Sequence, residues 1–225
     1  MIIILRFMKN VAIILAGGIG SRMNNKTPKQ FLKLNGKEII IYSLETFSSC
    51  KRIDNIIVVS HENYLNKCKF LIKKYDIGKV ISIVKGGNSR QDSVLNGLKE
   101  AKRLFKSCNV LIHDSARPLV TERIILENIR ALKDNDCATT AIPVTDTVYN
   151  VNENLVIKGL DRKTIYLAQT PQCGKLNVIY DAYINAKEVF TDDASLLSSY
   201  GLKPFVVIGD IKNKKITTKL DLKNF

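Results

Sequence analysis

The sequence predicts an α/β fold with a mostly parallel central β-sheet and a protruding β arm. Short, continuous apolar runs alternate along the chain with segments whose apolar residues recur at helical spacing, which is typical of parallel strands connected by helices. From residue 144 to residue 168 this alternation stops, and single polar and apolar residues alternate between Asn-rich turns. That pattern predicts two or three antiparallel strands, which extend from the sheet as an arm.

Each element follows from its own local pattern. The first run, VAIILA at 11–16, is apolar throughout, as expected for a strand that is covered on both faces. Thr121 directly precedes a helical segment and is a suitable N-cap. The predicted strands are 11–16, 53–60, 80–87, 109–118 with its polar end, 138–144 and 204–210, and the predicted helices are 38–50, 63–75, 90–105, 121–135 and 175–190. We expect one domain over residues 8–225, with residues 144–168 inserted as the arm.

The arm and the strand ends carry the first functional expectations. Because an isolated hairpin is only marginally stable, we expect the arm to pack against a second copy of the chain and to form a homodimer. Right-handed crossovers place the carboxyl ends of parallel strands on one edge of the sheet, where such sheets bind ligands. The polar loops after the strands at 11–16, 80–85 and 109–112 are therefore expected to converge on one site.

The chain is strongly basic, with 35 basic and 21 acidic residues and a formal net charge of +14. A positive field favours anionic partners such as nucleotides and sugar phosphates, although a bias toward Lys, Ile and Asn in the composition explains the charge equally well. The lysines are scattered and form no basic cluster interleaved with aromatic residues, which argues against nucleic-acid binding.

The numbers and spacing of cysteines and histidines limit the kinds of site and cellular compartment that fit this sequence. The five cysteines include no C-x-x-C pair, which favours buried or free thiols in a reducing cytoplasm. With two histidines in the chain, a His-rich zinc site is nearly excluded. The apolar start MIIILRF contains Arg6 and is too short to cross a bilayer, so no membrane partner is expected.

A glycine-rich loop follows the first strand. Gly17, Gly18 and Gly20 allow backbone N–H groups to approach an anion closely, but the spacing matches neither the dinucleotide fingerprint nor the P-loop. Taken alone, the loop is equally typical of a flexible turn. Arg22 and Lys29 add two cations that can neutralise the charge on a phosphorus under attack, whereas either cation alone is typical of an exposed surface.

A second glycine pair, Gly86 and Gly87, follows the strand at 80–85. Asn88 or Ser89 can cap the helix that begins near Arg90. Backbone groups here can bind the edge of a base, with Ser93 as a polar partner. The alternative is an ordinary capped turn between a strand and a helix.

The third loop, HDSARP at 113–118, places Asp114 at the expected ligand edge. A carboxylate among so many cations suits Mg²⁺ held together with substrate phosphates, since Mg²⁺ takes oxygen ligands. Arg117 can pair with a phosphate. The alternative is a salt bridge between Asp114 and Arg117, and His113 is interpreted as a packed histidine rather than a base.

Further downstream, Arg162 and the stretches QTPQ (169–172), TDDA (191–194) and NKKITT (213–218) combine Thr with Lys or Arg residues. Together such side chains are typical of a phosphate-binding set. TDDA is equally typical of an N-cap followed by acidic residues at the start of a helix.

Taken in order, these stretches resemble the cytidylyltransferases of the methylerythritol phosphate isoprenoid pathway and their relatives, the ribitol-5-phosphate cytidylyltransferases. The resemblance covers about residues 10–222 and is carried by the stretches LAGGIGSRM, PKQF, GGNSRQDSV, HDSARP, PVTDT, DR, QTPQ, TDDA and NKKITT. It implies a Rossmann-like nucleotidyltransferase domain whose β arm builds a homodimer, with CTP as co-substrate and Mg²⁺ as cofactor. The implied reaction is an in-line attack by the phosphate of a polyol phosphate on the α-phosphorus of CTP, which releases pyrophosphate without a covalent enzyme intermediate.

The resemblance also implies a role for each matching residue. Arg22 and Lys29 would be the catalytic cations. The implied nucleotide-binding residues are Ala16, Gly17, Gly18, Gly20, Gly86, Gly87, Ser93 and Asp114, and Asp114 is also the implied metal ligand. The implied substrate-binding residues are Arg117, Thr147, Arg162, Thr170, Thr191 and Lys215, of which Thr147 and Arg162 lie on the arm and reach the site of the neighbouring subunit.

Some features depart from the motifs of the family, and others favour one of its two branches. QTPQ is followed by no aromatic residue, and Lys214 stands where an isoleucine is common, which leaves open whether Lys214 or Lys215 faces the ligand. AGGIGSRM is closer to the ribitol branch, whereas RQDSV, TDDA and ITT favour the methylerythritol branch. We therefore expect 2-C-methyl-D-erythritol 4-phosphate as acceptor, with D-ribitol 5-phosphate as the alternative. A nucleic-acid-binding protein and a non-catalytic nucleotide-binding module are the alternatives from other classes.

Overall fold

A seven-stranded β-sheet forms the centre of the computed structural model, which describes residues 8–18 and 27–223. The strands in chain order are β1 (Asn10–Ala16), β2 (Lys33–Leu34), β3 (Lys37–Glu38), β4 (Asn55–Ser60), β5 (Val80–Lys85), β6 (Asn109–Asp114), β7 (Cys137–Pro143), β8 (Val148–Asn152), β9 (Leu155–Leu160), β10 (Tyr166–Lys175) and β11 (Phe205–Ile208). The order in the central sheet is β11-β7-β10-β6-β1-β4-β5. Within it, β10 is antiparallel to both of its neighbours and every other pairing is parallel, so the predicted α/β fold with a mostly parallel sheet is confirmed.

Helices cover both faces of the sheet. They are α1 (Ile39–Ser49), α2 (Leu65–Lys74), α3 (Arg90–Leu104), α4 (Glu122–Ala131), α5 (Leu176–Ile184), α6 (Asp193–Ser199) and α7 (Lys219–Lys223). Thr121 caps α4 as predicted, because its side chain accepts a hydrogen bond from the backbone N–H of Ile124. Among the described residues, none of these helices has the length and apolar character that crossing a membrane requires.

Strand β1 divides the apolar core between the two faces. Ala12 and Ile14 pack into the cluster beneath α1, α2 and α4, whereas Val11 and Ile13 pack into the cluster beneath α3, α5 and α6. Successive strand residues point to opposite faces, so an apolar run without alternation is required where both faces are covered. This explains why VAIILA contains no polar residue.

The strand β10 was not predicted over residues 169–175. The stretch QTPQCGK is polar and contains Pro171, a combination that argues against a central strand. The structure accommodates it through an irregularity in the pairing of β10 with β7. Ala168 pairs with Ala141 and Gln172 pairs with Thr139, so a step of four residues in β10 lies opposite a step of two residues in β7. The proline thus lies outside the regular ladder, and the strand closes the gap between β6 and β7.

The predicted helix at 175–190 is wrong at its end, since α5 stops at Ile184. Beyond it, the chain crosses toward the start of α3, where the Gln91 side chain accepts a hydrogen bond from Phe190 N and donates one to Glu188 O. These two bonds replace the helical pairing that the apolar spacing predicted.

The predicted antiparallel strands of the arm are present. Strands β8 and β9 form a two-stranded hairpin outside the central sheet, and a hydrogen bond of 3.1 Å from Val144 N to Ile165 O closes its base. The third strand, β10, begins at Tyr166 and continues into the central sheet. We call residues 148–160 the arm hairpin.

Candidate active site

A cleft of about 490 Å³ opens at the carboxyl edge of the parallel strands. Its walls come from the loop after β1, the loop after β5 and the loop after β6, so the predicted convergence of these three loops is confirmed. Three further parts of the chain contribute to the lining: the turn that carries Lys29 and Gln30, His61 directly after β4, and the segment that carries Lys215 and Thr217.

The first glycine loop is fixed by Gln30, which sequence reasoning missed. The buried Gln30 amide donates to the carbonyl oxygen of Ala16 at 2.6 Å and to that of Gly18 at 2.9 Å. Gly17 lies so close to α3 that a Cβ on it would be 3.2 Å from Ser93 Oγ. Ala16, Gly17 and Gly18 all line the cleft.

Lys29 begins a single 3₁₀ turn over Lys29–Phe31, directly after Pro28. It is half-buried and lines the cleft beside the glycine loop. The predicted residues Gly20 and Arg22 lie outside the described residues.

The second glycine loop is a capped turn that also faces the cleft. Ser89 caps α3 through a reciprocal pair of hydrogen bonds with Asp92. The Ser93 hydroxyl accepts from Gly87 N at 3.1 Å and donates to Ser89 O at 2.9 Å, so it holds the loop in place. A Cβ on Gly87 would lie 2.2 Å from the Cβ of Asp92, which explains the glycine by close packing against the helix.

Gly86 is also packed closely against a residue of α3. A Cβ on it would lie 2.9 Å from Ser93 Oγ, and its N–H donates to Ser60 O at 2.8 Å. Local packing therefore requires both glycines of the pair, while Gly87 and Ser93 also line the cleft.

Asp114 ends strand β6 inside the cleft and contacts two cations. Its Oδ1 accepts from Arg90 Nε at 3.2 Å, and its Oδ2 accepts from Lys215 Nζ at 2.6 Å. Burial by itself raises the pKa of Asp114, but the charges of Arg90 and Lys215 more than reverse this and hold the pKa well below its usual range. Asp114 is therefore a carboxylate at neutral pH, and its side chain pairs with Arg90 rather than with the Arg117 that the salt-bridge alternative named.

Arg117 donates instead to backbone carbonyls. Its Nη1 binds Asn213 O at 2.8 Å and its Nη2 binds Ala168 O at 3.2 Å. Burial lowers the pKa of Arg117, and the nearby charge of Asp114 offsets part of this effect. The guanidinium thus joins β10 to the segment before Lys215, next to the charged end of β6.

His113 is buried, as predicted, and binds Thr170. Its Nε2 lies 3.2 Å from Arg117 O, and since a carbonyl only accepts, Nε2 carries the proton. Burial lowers the pKa of His113 to about 4, so Nδ1 is unprotonated and accepts from the Thr170 hydroxyl at 2.9 Å. The same hydroxyl oxygen accepts from Asp114 N at 3.1 Å. In this arrangement Thr170 fixes the end of β6, and its proton is not directed at the cleft.

The low pKa of His113 predicts a loss of stability in acid. Its folded-state pKa of about 4 lies below the ordinary value, so the unfolded chain binds the proton first and stability falls as the pH drops from about 6.5 toward 4. Between pH 7 and pH 5 this linkage costs about 2 kcal/mol. Urea unfolding of the wild type and of His113→Gln at both pH values measures it, and we expect a smaller loss in the variant. Equal losses in the two proteins would rule out His113 as the cause.

The remaining predicted substrate residues are divided between the cleft and the outside of the fold. Lys215 lines the cleft while Lys214 is exposed and does not line it. Thr191 is exposed just before Asp192, whose side chain caps α6. Thr147 and Arg162 are exposed at the base of the arm and do not line the cleft of their own chain, and Arg162 donates to Thr145 O at 2.7 Å.

The fit of a metal ion depends on Asp114. Among the described residues, no group of three or more His, Cys, Asp or Glu side chains is placed to bind a metal. Both oxygens of Asp114 already accept from cations. The residues present therefore fit a Mg²⁺ ion only if most of its oxygen ligands come with substrate phosphates, as is common for this ion.

The chain resembles proteins of one family over nearly its whole length. The family model of 2-C-methyl-D-erythritol 4-phosphate cytidylyltransferase (IspD) matches residues 10–224. A 2-C-methyl-D-erythritol 4-phosphate cytidylyltransferase of Clostridium botulinum is 42% identical, over 95% of this chain and 94% of that protein. A ribitol-5-phosphate cytidylyltransferase of Vibrio parahaemolyticus is 41% identical, over 94% of this chain and 92% of that protein.

Solved structures agree with this assignment. The 4-diphosphocytidyl-2C-methyl-D-erythritol synthase of Anaerococcus prevotii superposes with a TM-score of 0.84 at 32% identity, over 96% of this chain and 94% of that one. The 2-C-methyl-D-erythritol 4-phosphate cytidylyltransferase of Francisella tularensis gives a TM-score of 0.78 at 34% identity, over 96% and 97%. Fold, cleft and sequence lead to the same conclusion: the chain belongs to the 2-C-methyl-D-erythritol 4-phosphate cytidylyltransferase family of nucleotidyltransferase enzymes.

Proposed function

We propose that this protein transfers CMP from CTP to 2-C-methyl-D-erythritol 4-phosphate and releases pyrophosphate. The observation that carries the proposal is the convergence of the first glycine loop, Lys29 and Lys215 on one cleft at the carboxyl edge of the sheet. Backbone N–H groups and lysines together suit a triphosphate, and family membership supports a nucleotidyl transfer.

The chemistry needs no protein nucleophile, because the acceptor phosphate itself attacks the α-phosphorus. Catalysis then consists of positioning and charge neutralisation. In our proposal, Gly17 and Gly18 hold the triphosphate while Lys29, together with Arg22, neutralises the charge that builds on the α-phosphate. Lys215, held by Asp114, contributes a third cation to the cleft.

Mg²⁺ fits this scheme as an ion that arrives with CTP. When bound, the ion would supply charge neutralisation for the triphosphate, and Asp114 would be the residue that holds it. Since Asp114 already pairs with Arg90 and Lys215, its part in the proposal is to hold Lys215 and the end of β6 as much as to face the ion.

The acceptor side is proposed to include residues of two subunits. Arg117, Thr170 and Thr191 lie on the chain that supplies the cleft. Thr147 and Arg162 are exposed at the base of the arm, away from the cleft of their own chain. A homodimer built through the arm hairpin would allow them to reach the neighbouring site.

The thiols support a proposal for the cellular compartment. All five cysteines are free and buried, and burial raises the pKa of Cys108 to about 12. Such thiols are unreactive and fit a reducing compartment. We therefore propose that the enzyme works in the cytoplasm.

Ribitol 5-phosphate is the second candidate acceptor, because relatives at 42% and 41% identity carry the two different names. We expect kcat/KM at least about tenfold higher with 2-C-methyl-D-erythritol 4-phosphate than with D-ribitol 5-phosphate, a difference worth about 1.4 kcal/mol. Pyrophosphate release measured with each acceptor at equal CTP tests this. Reactions without acceptor serve as the blank, and a preference for ribitol 5-phosphate would overturn our choice.

A further inference from the structure

A buried ionic cluster joins the start of α3 to the start of α6. We call Arg90, Asp193 and Tyr183 the arginine cluster. Arg90 Nη1 and Nη2 donate to Asp193 Oδ1 and Oδ2 at 2.7 and 2.8 Å, and the Tyr183 hydroxyl also donates to Oδ1. The Asp193 side chain is fully buried, and that of Arg90 is 25% exposed at the cleft. Arg90 lies in the stretch GGNSRQDSV and Asp193 in TDDA, but neither was given a role of its own, and Tyr183 belongs to none of the stretches.

The guanidinium of Arg90 binds two carboxylates at once. While its two terminal nitrogens face Asp193, its Nε donates to Asp114 Oδ1. Asp114 in turn accepts from Lys215 through its other oxygen. A continuous chain of charge-assisted hydrogen bonds thus runs from the buried Asp193 to the amine of Lys215 in the cleft.

The side chains in this series of hydrogen bonds depend on one another because their charges balance. The guanidinium of Arg90 lies between two carboxylates, those of Asp193 and Asp114. If Asp193 lost its charge, the buried guanidinium would keep Asp114 as its only carboxylate partner among the described residues. Removing one member of a buried ion pair leaves the other uncompensated, so Arg90 would draw Asp114 away from Lys215.

The arginine cluster also spans the two halves of the proposed reaction. Arg90 follows the second glycine loop, which is proposed to face the nucleotide, and Asp193 lies two residues after Thr191, which is proposed to face the polyol phosphate. An in-line transfer requires the two substrates at a fixed separation, and small displacements lower the rate strongly.

We propose that Asp193, supported by Tyr183, is a positioning residue that acts through Arg90 to hold Asp114 and Lys215 in the geometry for transfer. This inference rests on the proposed function. It predicts that Asp193→Asn, which preserves shape, lowers kcat at least about tenfold and changes the KM for CTP less than about threefold, because only the transition-state geometry is lost.

Two further variants and a control sharpen the kinetic test. Tyr183→Phe removes one hydrogen bond and keeps the ion pair, so it should lower kcat in the same direction by less. Arg90→Lys keeps the charge but lacks the planar fork that binds Asp193 through two nitrogens while Nε binds Asp114, and it should resemble Asp193→Asn. Arg103→Gln on the same helix breaks only the exposed pair with Glu100 and should leave kcat unchanged.

A double-mutant cycle separates positioning from a merely structural role. If Asp193 acts through Asp114, then Asp193→Asn should cost little more when added to Asp114→Asn. Losses that multiply independently would overturn the inference, and so would an Asp193→Asn enzyme with wild-type kcat. Should Asp193→Asn fail to fold by circular dichroism, the same cycle with Tyr183→Phe decides.

A spectroscopic readout keeps this inference separate from the proposed function. A lysine ammonium that is held by a carboxylate gives a slowly exchanging ¹⁵N–¹H signal. Lys215 Nζ donates to Asp114 Oδ2, so we expect that signal for Lys215 in the wild type and in Arg103→Gln, and its loss in Asp193→Asn, where Arg90 draws Asp114 away. A wild type that releases no pyrophosphate with either acceptor refutes the proposed function, whereas an unchanged Lys215 signal in Asp193→Asn refutes the positioning role.

Discussion

Replacing Lys29 by alanine should lower kcat by about two to three orders of magnitude, the usual cost of removing one group that stabilises developing charge. Lys29 lines the cleft beside the first glycine loop, where the triphosphate is proposed to lie. The fold should survive, because the buried residues of the same turn are its neighbours Gln30 and Phe31. Steady-state pyrophosphate release gives kcat, and thermal unfolding followed by circular dichroism reports the fold.

Lys33 provides a matched control for this experiment. It lies four residues further along the chain, is exposed on β2 and does not line the cleft. Lys33→Ala removes the same charge from the same region, so kcat should stay within about twofold of the wild type if position and not net charge matters. A Lys29→Ala enzyme that turns over at the wild-type rate would remove Lys29 from the mechanism.

Removal of residues 146–164 should yield a monomer with little activity. The hydrogen bond from Val144 N to Ile165 O holds the two ends of this segment side by side, so a short glycine-containing turn can replace it without pulling on the sheet. Light scattering after size exclusion measures the mass. We expect kcat/KM for the polyol phosphate to fall at least about 100-fold, since two binding residues, Thr147 and Arg162, would be lost with the dimer.

The surface of the arm hairpin explains why a dimer is expected. Tyr149, Val151, Leu155, Val156 and Ile157 are each more than half exposed. A cluster of apolar side chains on a two-stranded hairpin is typical of a surface that another chain covers.

Point variants test the arm without shortening it. Val156→Lys places a charge in the apolar surface and should weaken the dimer, whereas Lys158→Gln on the same strand should leave it intact. A deletion variant that is monomeric and fully active would refute the shared site, and a deletion variant that is still a dimer would show that the arm hairpin is not the interface.

The sheet could be predicted wherever burial alone decided the residue types. VAIILA and IIVV are apolar because both faces of β1 and β4 are covered, and no other structure suits such runs equally well. Strand β10 was not predicted over residues 169–175, because Gln169 and Gln172 are polar residues that form hydrogen bonds within it. Gln169 binds Asp210 O and Gln172 binds Asp192, so the polarity that argued against a strand reflects partners that are distant in sequence.

The features of the candidate site also divide into those that a local sequence signal predicts and those that depend on contacts between distant residues. Loop residues such as Gly87 and Asp114 were found because their position after a strand has a local signal. The partner of Asp114 was not predicted, because Arg90 lies 24 residues from Asp114 in the sequence. The second partner of Arg90, Asp193, lies 103 residues from Arg90. No periodicity indicates which of several cations meets which carboxylate. That choice depends on the meeting of the starts of α3 and α6, which only the folded chain defines.

Gln30 couples the first glycine loop to the lysine that follows it in the fold. Its single amide joins Ala16 and Gly18 to the turn that presents Lys29, so one side chain sets the relative position of the loop and the lysine. Gln30→Ala would remove this connection and should lower kcat, although the glycines and Lys29 are all retained.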